Sequence, residues 1–123
     1  MKKVSWIVFV ALLLLAGCGT EAEKGYLTVD ISQVQQLQDD GAVVLDVREV
    51  EEFAEGHIIG AINAPLSKLK TGERAVLDKK QSYIVICRSG SRSKEASELL
   101  IDEGYDLVNV SEGMSSWTGE VEY

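Results

Sequence analysis

Two short apolar runs, at residues 43–47 and 83–87, constrain the fold of this 123-residue chain more than any other feature. Both runs are continuous and rich in β-branched residues, which is typical of strands buried on both faces of a parallel sheet. Residues 61–64 and 107–110 are weaker candidates of the same kind. The sequence therefore predicts a central parallel sheet.

Amphipathic stretches alternate with these predicted strands. Residues 32–38 place Val34 and Leu37 at helical spacing after a polar cap residue, and residues 93–103 place three apolar side chains on one face. We expect Gly104 to end the second helix in a left-handed conformation. The chain has room for one domain, and this alternation predicts an α/β fold with helices on both faces of the sheet. Such sheets bind ligands at the carboxyl ends of their strands.

The N-terminus has the pattern of an export signal. Lys2 and Lys3 precede an apolar stretch at residues 4–16. This stretch is shorter than the roughly 20 residues that span a bilayer as a helix, and it suits a signal peptide. The Leu-Ala-Gly-Cys sequence that ends at Cys18 resembles the lipobox of bacterial lipoproteins. The alternative is an ordinary cleavage site that happens to precede a cysteine.

The resemblance to a lipobox implies an organisation in three parts. Residues 1–17 are a signal peptide, residues 18–25 are a polar, flexible tether that begins with the lipidated Cys18, and residues 26–123 are the domain. The domain is then expected on the outer face of a cell membrane. A lipid on Cys18 would make the membrane a binding partner of the chain.

The charge balance limits the other partners. Acidic residues outnumber basic residues by 20 to 12, and the formal net charge is −8. Binding to the phosphate backbone of nucleic acid requires a net basic face, so nucleic acid is not expected as a partner. The excess of carboxylates is typical of a solvated surface.

Cysteine usage draws attention to Cys87. The chain has two cysteines and one histidine, too few for a closed tetrahedral zinc site, and we expect neither a metal nor a cofactor. If Cys18 carries lipid, Cys87 has no disulfide partner within the chain. An unpaired thiol in an oxidising compartment favours a reactive role. The alternative is an inert, buried cysteine at the end of a strand.

The segment after Cys87 has the composition of an anion-binding loop. It lacks large apolar side chains and leads from a predicted strand into a predicted helix. Its backbone N–H groups can point inward beside the positive end of the helix, and that environment, together with nearby arginines, lowers the pKa of a cysteine. The candidate site therefore comprises the nucleophile Cys87 and a substrate-binding loop made of Arg88, Ser89, Gly90, Ser91 and Arg92.

Four segments stand in a characteristic order: Leu-Asp-Val-Arg-Glu at 45–49, the stretch 52–65 that contains Gly-His-Ile-Ile-Gly-Ala, the loop at 87–93, and Glu-Gly-Met-Ser-Ser-Trp at 112–117. Together they resemble the rhodanese family, in particular its small single-domain bacterial sulfurtransferases. The resemblance covers about residues 27–117. Val50 stands where the family often has a proline, and Glu112 stands where it commonly has a glycine. Neither departure lies in the Cys87 loop.

The resemblance implies a sulfurtransferase. The Cys87 thiolate would attack the sulfane sulfur of a small anionic donor such as thiosulfate and become a persulfide, which a thiol acceptor or cyanide then removes. Amides of residues 88–92 would hold the donor and the persulfide. One alternative is a non-enzymatic sulfur-carrier or binding module. Another, disfavoured by spacing, is a thiolate phosphatase or arsenate reductase, whose loop arginine stands six positions after the cysteine, where this chain has Ser93.

Other residues of chemical interest are assigned to the scaffold. His57 lies in a glycine-flanked turn, where a hydrogen bond to the scaffold is expected rather than a role as a base. Asp46 and Arg48 are expected to form a structural ion pair or a turn cap near the sheet edge that carries the loop. Met114 and Trp117 are expected to pack in the core.

Overall fold

The structure is a computed structural model that describes residues 21–23 and 25–123. The predicted signal peptide and Cys18 lie outside the described residues. The helices are α1 (Val34–Asp39), α2 (Val50–Ala54), α3 (Leu66–Lys70) and α4 (Ser91–Asp102), with 3-10 turns at Ile31–Gln33 and Met114–Ser116. The strands are β1 (Glu21–Glu23), β2 (Tyr26–Val29), β3 (Val43–Asp46), β4 (His57–Ile58), β5 (Ile62–Asn63), β6 (Ser82–Ile86), β7 (Asp106–Val110) and β8 (Val121–Glu122).

The central sheet has six strands in the order β1-β2-β7-β6-β3-β5. All neighbours from β2 to β5 are parallel, and β1 joins the edge of β2 in antiparallel orientation. β4 and β8 form a separate antiparallel pair. The α/β fold with a central parallel sheet is therefore confirmed, and parallel pairing places the carboxyl ends of the main strands at one edge.

Side chains of the central strands alternate between two apolar clusters, one on each face of the sheet. Along β6, Tyr83 and Val85 pack in the cluster that contains residues of α3 and α4, and Cys87 continues this face. Ile84 and Ile86 pack in the opposite cluster, which contains Val34 of α1. This period of two confirms helices on both faces and directs the Cys87 side chain toward α4.

The first helix begins differently from the prediction. Residues 31–33 form a 3-10 turn, and the chain becomes α-helical at Val34. Asp30, rather than Ser32, is the cap, because its carboxylate accepts a hydrogen bond from the Ser32 N–H at 2.8 Å. α4 begins at Ser91, two residues before the predicted start, because Gly90 is left-handed and turns the chain directly into the helix.

The sheet begins within the segment that the sequence analysis assigns to the tether. Residues 21–23 pair with residues 26–28, so backbone pairing starts before the predicted domain boundary at residue 26. No helix within the described residues is long and apolar enough to cross a membrane.

Candidate functional site

Cys87 is the first residue after β6, at the carboxyl edge of the parallel sheet. It is 1% exposed, and its thiol is free. The backbone N–H of Gly90 donates a hydrogen bond to the Cys87 Sγ at 3.1 Å. The loop therefore closes over the sulfur with a donor directed at it, as the sequence analysis predicts.

The environment of Cys87 favours the thiolate. Burial by itself raises the pKa of a thiol, but hydrogen bonds from the Ser93 hydroxyl and from the amides of Ser93, Gly90 and Ser89 outweigh burial and lower the pKa of Cys87 below its ordinary value of 9.0. The lowered pKa agrees with the sequence-based expectation. Hydrogen-bond donors, rather than the neighbouring arginines, are its main cause.

Ser93 ends the 87–93 motif and lies outside the predicted site residues 87–92, but it belongs to the site. It lies in the first turn of α4 and is fully buried. Its Oγ lies 3.1 Å from the Gly90 carbonyl oxygen and 3.4 Å from the Val110 carbonyl oxygen, and both can accept its proton. Because a hydroxyl rotates, the same group can donate to the Cys87 sulfur when that sulfur carries charge. The sequence signal that could have identified Ser93 is a small hydroxyl residue in the first turn of the helix that follows the loop.

Two left-handed glycines fix the path of the loop. Gly90 has φ +107°, and a Cβ atom there would overlap the Ser111 carbonyl oxygen. Gly113 has φ +102°, and a Cβ atom there would lie 2.6 Å from the Arg88 carbonyl and 2.7 Å from the Cys87 carbonyl oxygen. Both positions therefore require glycine for two reasons, the backbone conformation and the close approach of a second segment.

The segment that follows β7 also supports the loop through hydrogen bonds. The N–H of Met114 donates to the Cys87 carbonyl oxygen at 2.7 Å, and the N–H of Ser115 donates to the Arg88 carbonyl oxygen at 3.0 Å. These bonds pair two carbonyl groups of the loop with the neighbouring segment that follows β7. The loop N–H groups of Ser89 and Gly90 are thereby left on the side of the sulfur.

The two loop arginines have different surroundings. Arg92 forms a bidentate ion pair with Glu52 of α2, with N–O distances of 2.6 and 2.9 Å. Arg88 is 67% exposed, and its Nη1 lies 3.9 Å from the same carboxylate. The hydrogen bond from Arg92 is the largest cause that lowers the pKa of Glu52 to about 2. The charge of Arg92 is thus offset by a carboxylate that sequence reasoning did not single out.

The remaining predicted loop residues lie as follows. Ser89 is exposed and contributes its backbone N–H to the environment of the sulfur. Ser91 is exposed and is the first residue of α4. The structure therefore places Cys87, Ser89 and Gly90 around the sulfur, with Ser91 on the adjoining helical turn.

The residues assigned to the scaffold lie in structural contacts. Arg48 and Asp46 form a buried ion pair with an N–O distance of 2.7 Å, and Arg48 also donates to the Gly56 carbonyl oxygen. The His57 ring stacks on Phe53, and its Nδ1 lies 2.8 Å from the Phe53 carbonyl oxygen. The predicted ion pair of Asp46 with Arg48 and the predicted contact of His57 with the scaffold are confirmed.

The two residues predicted for the core are only partly buried. Met114 and Trp117 pack against the cluster on the α1 face. Within residues 21–23 and 25–123, no group of three His, Cys, Asp or Glu side chains is arranged to hold a metal ion.

The fold and the site define an α/β domain with a free thiol in an amide-lined loop between a parallel strand and a helix. Residues 30–120 match the model of the rhodanese-like domain, and the chain belongs to this family. The Bacillus subtilis protein named "Putative sulfurtransferase YtwF" is 40% identical over 82 residues, which cover 67% of this chain and 79% of YtwF.

A second relative and a solved structure also support membership in this family. The Bacillus subtilis protein named "Putative sulfur carrier protein YrkF" is 36% identical over 85 residues, which cover 68% of this chain but only 45% of YrkF. The crystal structure of a rhodanese-related protein from Thermoplasma volcanium is 33% identical and superposes with a TM-score of 0.70, covering 77% of this chain and 96% of that protein. The family resemblance noted in the sequence is confirmed.

Proposed function

We propose that the protein is a sulfurtransferase that moves sulfane sulfur from a small anionic donor, such as thiosulfate, to a thiol or cyanide acceptor through a persulfide on Cys87. The observation that carries this proposal is the hydrogen bond from the Gly90 N–H to the Cys87 Sγ, in a loop that lowers the pKa of the thiol. Membership in the rhodanese-like family and the name of the relative YtwF support it.

The proposed chemistry has two steps. The Cys87 thiolate attacks the outer sulfur of thiosulfate, a bond forms between these two sulfurs, and the sulfur–sulfur bond of the donor breaks so that sulfite leaves with the electron pair. The acceptor thiolate or cyanide then attacks the outer sulfur of the persulfide and restores the Cys87 thiolate. The loop amides and the positive end of α4 stabilise negative charge on the donor and on the persulfide.

The test is sulfur uptake by the full chain purified in detergent. Incubation with thiosulfate should add the mass of one sulfur atom to the protein, and cyanide should remove it as thiocyanate. Cys87→Ala should lose both steps and keep the wild-type circular dichroism spectrum. Reduced wild-type protein that takes up no sulfur from thiosulfate or from any other sulfane donor would contradict the proposal.

A sulfur carrier is the second candidate, favoured by the name of the relative YrkF. A carrier loads Cys87 once and passes the sulfur to a partner protein, so with cyanide as the acceptor it would give slow or single turnover. The enzyme proposal predicts many thiocyanate molecules for each Cys87. The phosphatase alternative stays disfavoured by spacing, because Ser93 stands six positions after Cys87, where that class has its loop arginine, and Arg92 is paired with Glu52 of α2.

We further propose that Cys18 carries a lipid that holds the domain on the outer face of a cell membrane. The proposal rests on the lipobox-like sequence before Cys18. Cells grown with a labelled fatty acid should label the wild-type chain and not Cys18→Ser, whereas Cys87→Ala should be labelled like the wild type. Equal labelling of Cys18→Ser would refute the anchor.

A further inference from the structure

Glu52 lies between the two cations of the Cys87 loop. Its carboxylate makes both short contacts with the Arg92 guanidinium and lies 3.9 Å from Arg88. Within the described part of the chain, the ion pairs of Arg88 and of Arg92 are both made with the carboxylate of Glu52. The loop therefore has two positive charges and one negative charge held against them, instead of the two free cations that its sequence suggests.

This arrangement changes what the loop offers to an anion. Arg92 is held in a nearly neutral pair, and Arg88 is mostly exposed, so solvent and salt screen its charge. The backbone N–H groups around the sulfur bind an anion through dipoles and do not add a full charge. A second negative charge on a donor would thus gain little from the loop while being repelled by Glu52.

We propose, building on the proposed sulfurtransferase activity, that Glu52 is a specificity-determining residue that selects sulfane donors by charge. By offsetting Arg92, it makes the loop favour donors with one negative charge, such as alkyl thiosulfonates, relative to dianionic thiosulfate. Thiosulfate remains a substrate of the same loop, with a lower kcat/KM than the loop would give it without the carboxylate.

The two donors deliver the same sulfur by the same step. With a thiosulfonate, the Cys87 thiolate bonds to the outer sulfur, the sulfur–sulfur bond of the donor breaks, and a sulfinate leaves with the electron pair. With thiosulfate the leaving group is sulfite, which carries one more negative charge. The persulfide on Cys87 is identical in both cases, so a difference in kcat/KM between variants reports on the donor and its leaving group.

The experiment compares kcat/KM for methanethiosulfonate and for thiosulfate, with cyanide as the acceptor and the full chain in detergent. Glu52→Gln keeps the shape of the side chain and removes its charge. The ratio of thiosulfate to methanethiosulfonate kcat/KM should rise a few-fold, the scale of the interaction between two unit charges several ångströms apart in a largely aqueous environment. Added salt should diminish this change.

The matched control is Glu51→Gln, because Glu51 belongs to the same helix but is exposed. It removes the same charge and should leave the ratio unchanged. The double variant Glu52→Gln with Arg92→Gln removes one charge of each sign and should return the ratio to about the wild-type value.

Glu52 also accepts the Glu49 N–H in the capping box of α2, so a structural role has to be separated from a role in selection. Equal losses of kcat/KM for both donors in Glu52→Gln would overturn the proposal, because a displaced loop affects both donors alike. If Glu52→Gln lowers the melting temperature, Glu52→Asp decides the question. A wild-type ratio in Glu52→Asp supports selection by charge, and a ratio raised as in Glu52→Gln overturns it. A wild-type protein that takes sulfur from neither donor refutes the sulfurtransferase itself.

Discussion

The two ends of α4 are built from the same two devices but differ in their surroundings. Each end has a left-handed glycine, Gly90 before the helix and Gly104 after it. Each end also has a bidentate arginine–glutamate ion pair with another part of the chain. Arg92 pairs with Glu52 at the start of the helix, and Glu103 pairs with Arg74 at its end. The helix is thus held to the rest of the domain in the same way at both ends.

The helix itself contributes the electrostatically unfavourable charge at each end. The macrodipole disfavours a cation in the first turn and an anion at the C-terminus, yet Arg92 lies in the first turn and Glu103 caps the last. A partner of opposite sign offsets each of them. At the first turn the cation adjoins the Cys87 loop, whereas the last turn lies at the other end of the helix, so we expect only the first turn to affect activity.

The two glycines differ in how closely other atoms approach them. A Cβ atom on Gly90 would overlap the Ser111 carbonyl oxygen, whereas a Cβ atom on Gly104 would meet nothing within 4 Å. Both positions require a positive φ, but only the first also requires the absence of a side chain. Variants at the two ends therefore separate the cost of backbone conformation from the cost of steric overlap.

The largest effect is expected for Gly90→Ala. The new methyl group strains the backbone and pushes the loop away from Ser111, which should lower the free energy of unfolding by about 2–4 kcal/mol. Sulfur uptake from thiosulfate should also be lost, because the N–H of residue 90 no longer faces the sulfur. Urea denaturation and intact-protein mass measure the two effects. A variant with wild-type sulfur uptake would show that the loop tolerates displacement.

Arg92→Ala should have the next largest effect, on activity. It removes a cation and leaves Glu52 unpaired beside the donor, so kcat/KM for thiosulfate should fall about 10- to 100-fold while some persulfide formation persists through the amides. Arg74→Ala breaks the equivalent pair at the other end and should change kcat/KM by less than about twofold, with stability reduced by about 0.5–1 kcal/mol. Equal kinetic losses in both variants would mean that the pairs act only on the helix position.

The sequence was sufficient to predict the features that depend on local pattern. Continuous β-branched runs predicted the central strands β3 and β6, and the apolar spacing after the loop predicted α4 and its end at Gly104. The position of Cys87 between a parallel strand and a helix followed from these elements. The pattern also predicted a loop whose amides face the Cys87 sulfur, because its residues are consecutive.

The features that were not predicted depend on contacts between distant segments or on very short elements. Glu52 and Arg92 are 40 positions apart, and no periodicity connects them. The same holds for the packing of Gly113 against Arg88. α2, α3, β4 and β8 have two to five residues each, too few to show a helical or strand period.

Gly104→Ala should have a smaller effect that is confined to stability. The positive φ costs an alanine about 1 kcal/mol, and open space around the new methyl group adds no steric term. The kcat/KM for thiosulfate should remain at the wild-type value. A loss of stability equal to that of Gly90→Ala would mean that backbone conformation, and not overlap with Ser111, dominates at both ends.

Acid tests the two ion pairs without changing the helix. The pKa of Glu52 is lowered to about 2 by its hydrogen bond with Arg92, and the pKa of Glu103 is lowered in the same direction by Arg74. An unfolded chain protonates these carboxylates near 4.5, before the folded chain does. The unfolded state therefore binds more protons below that pH, and the stability from each pair is lost as the pH falls.

For Glu52 this loss runs from about pH 4.5 to about pH 2. The difference in free energy of unfolding between the wild type and Glu52→Gln should therefore be constant above that window and shrink within it. The corresponding difference for Glu103→Gln should shrink in the same direction as the pH falls below 4.5, because the Arg74 guanidinium lowers the pKa of Glu103. Urea denaturation at pH 6, 4 and 3 measures both differences, and carboxylates common to all variants cancel. A difference for Glu52 that does not depend on pH would mean that Arg92 does not hold this carboxylate in solution, and the offset of charge beside Cys87 would then be absent as well.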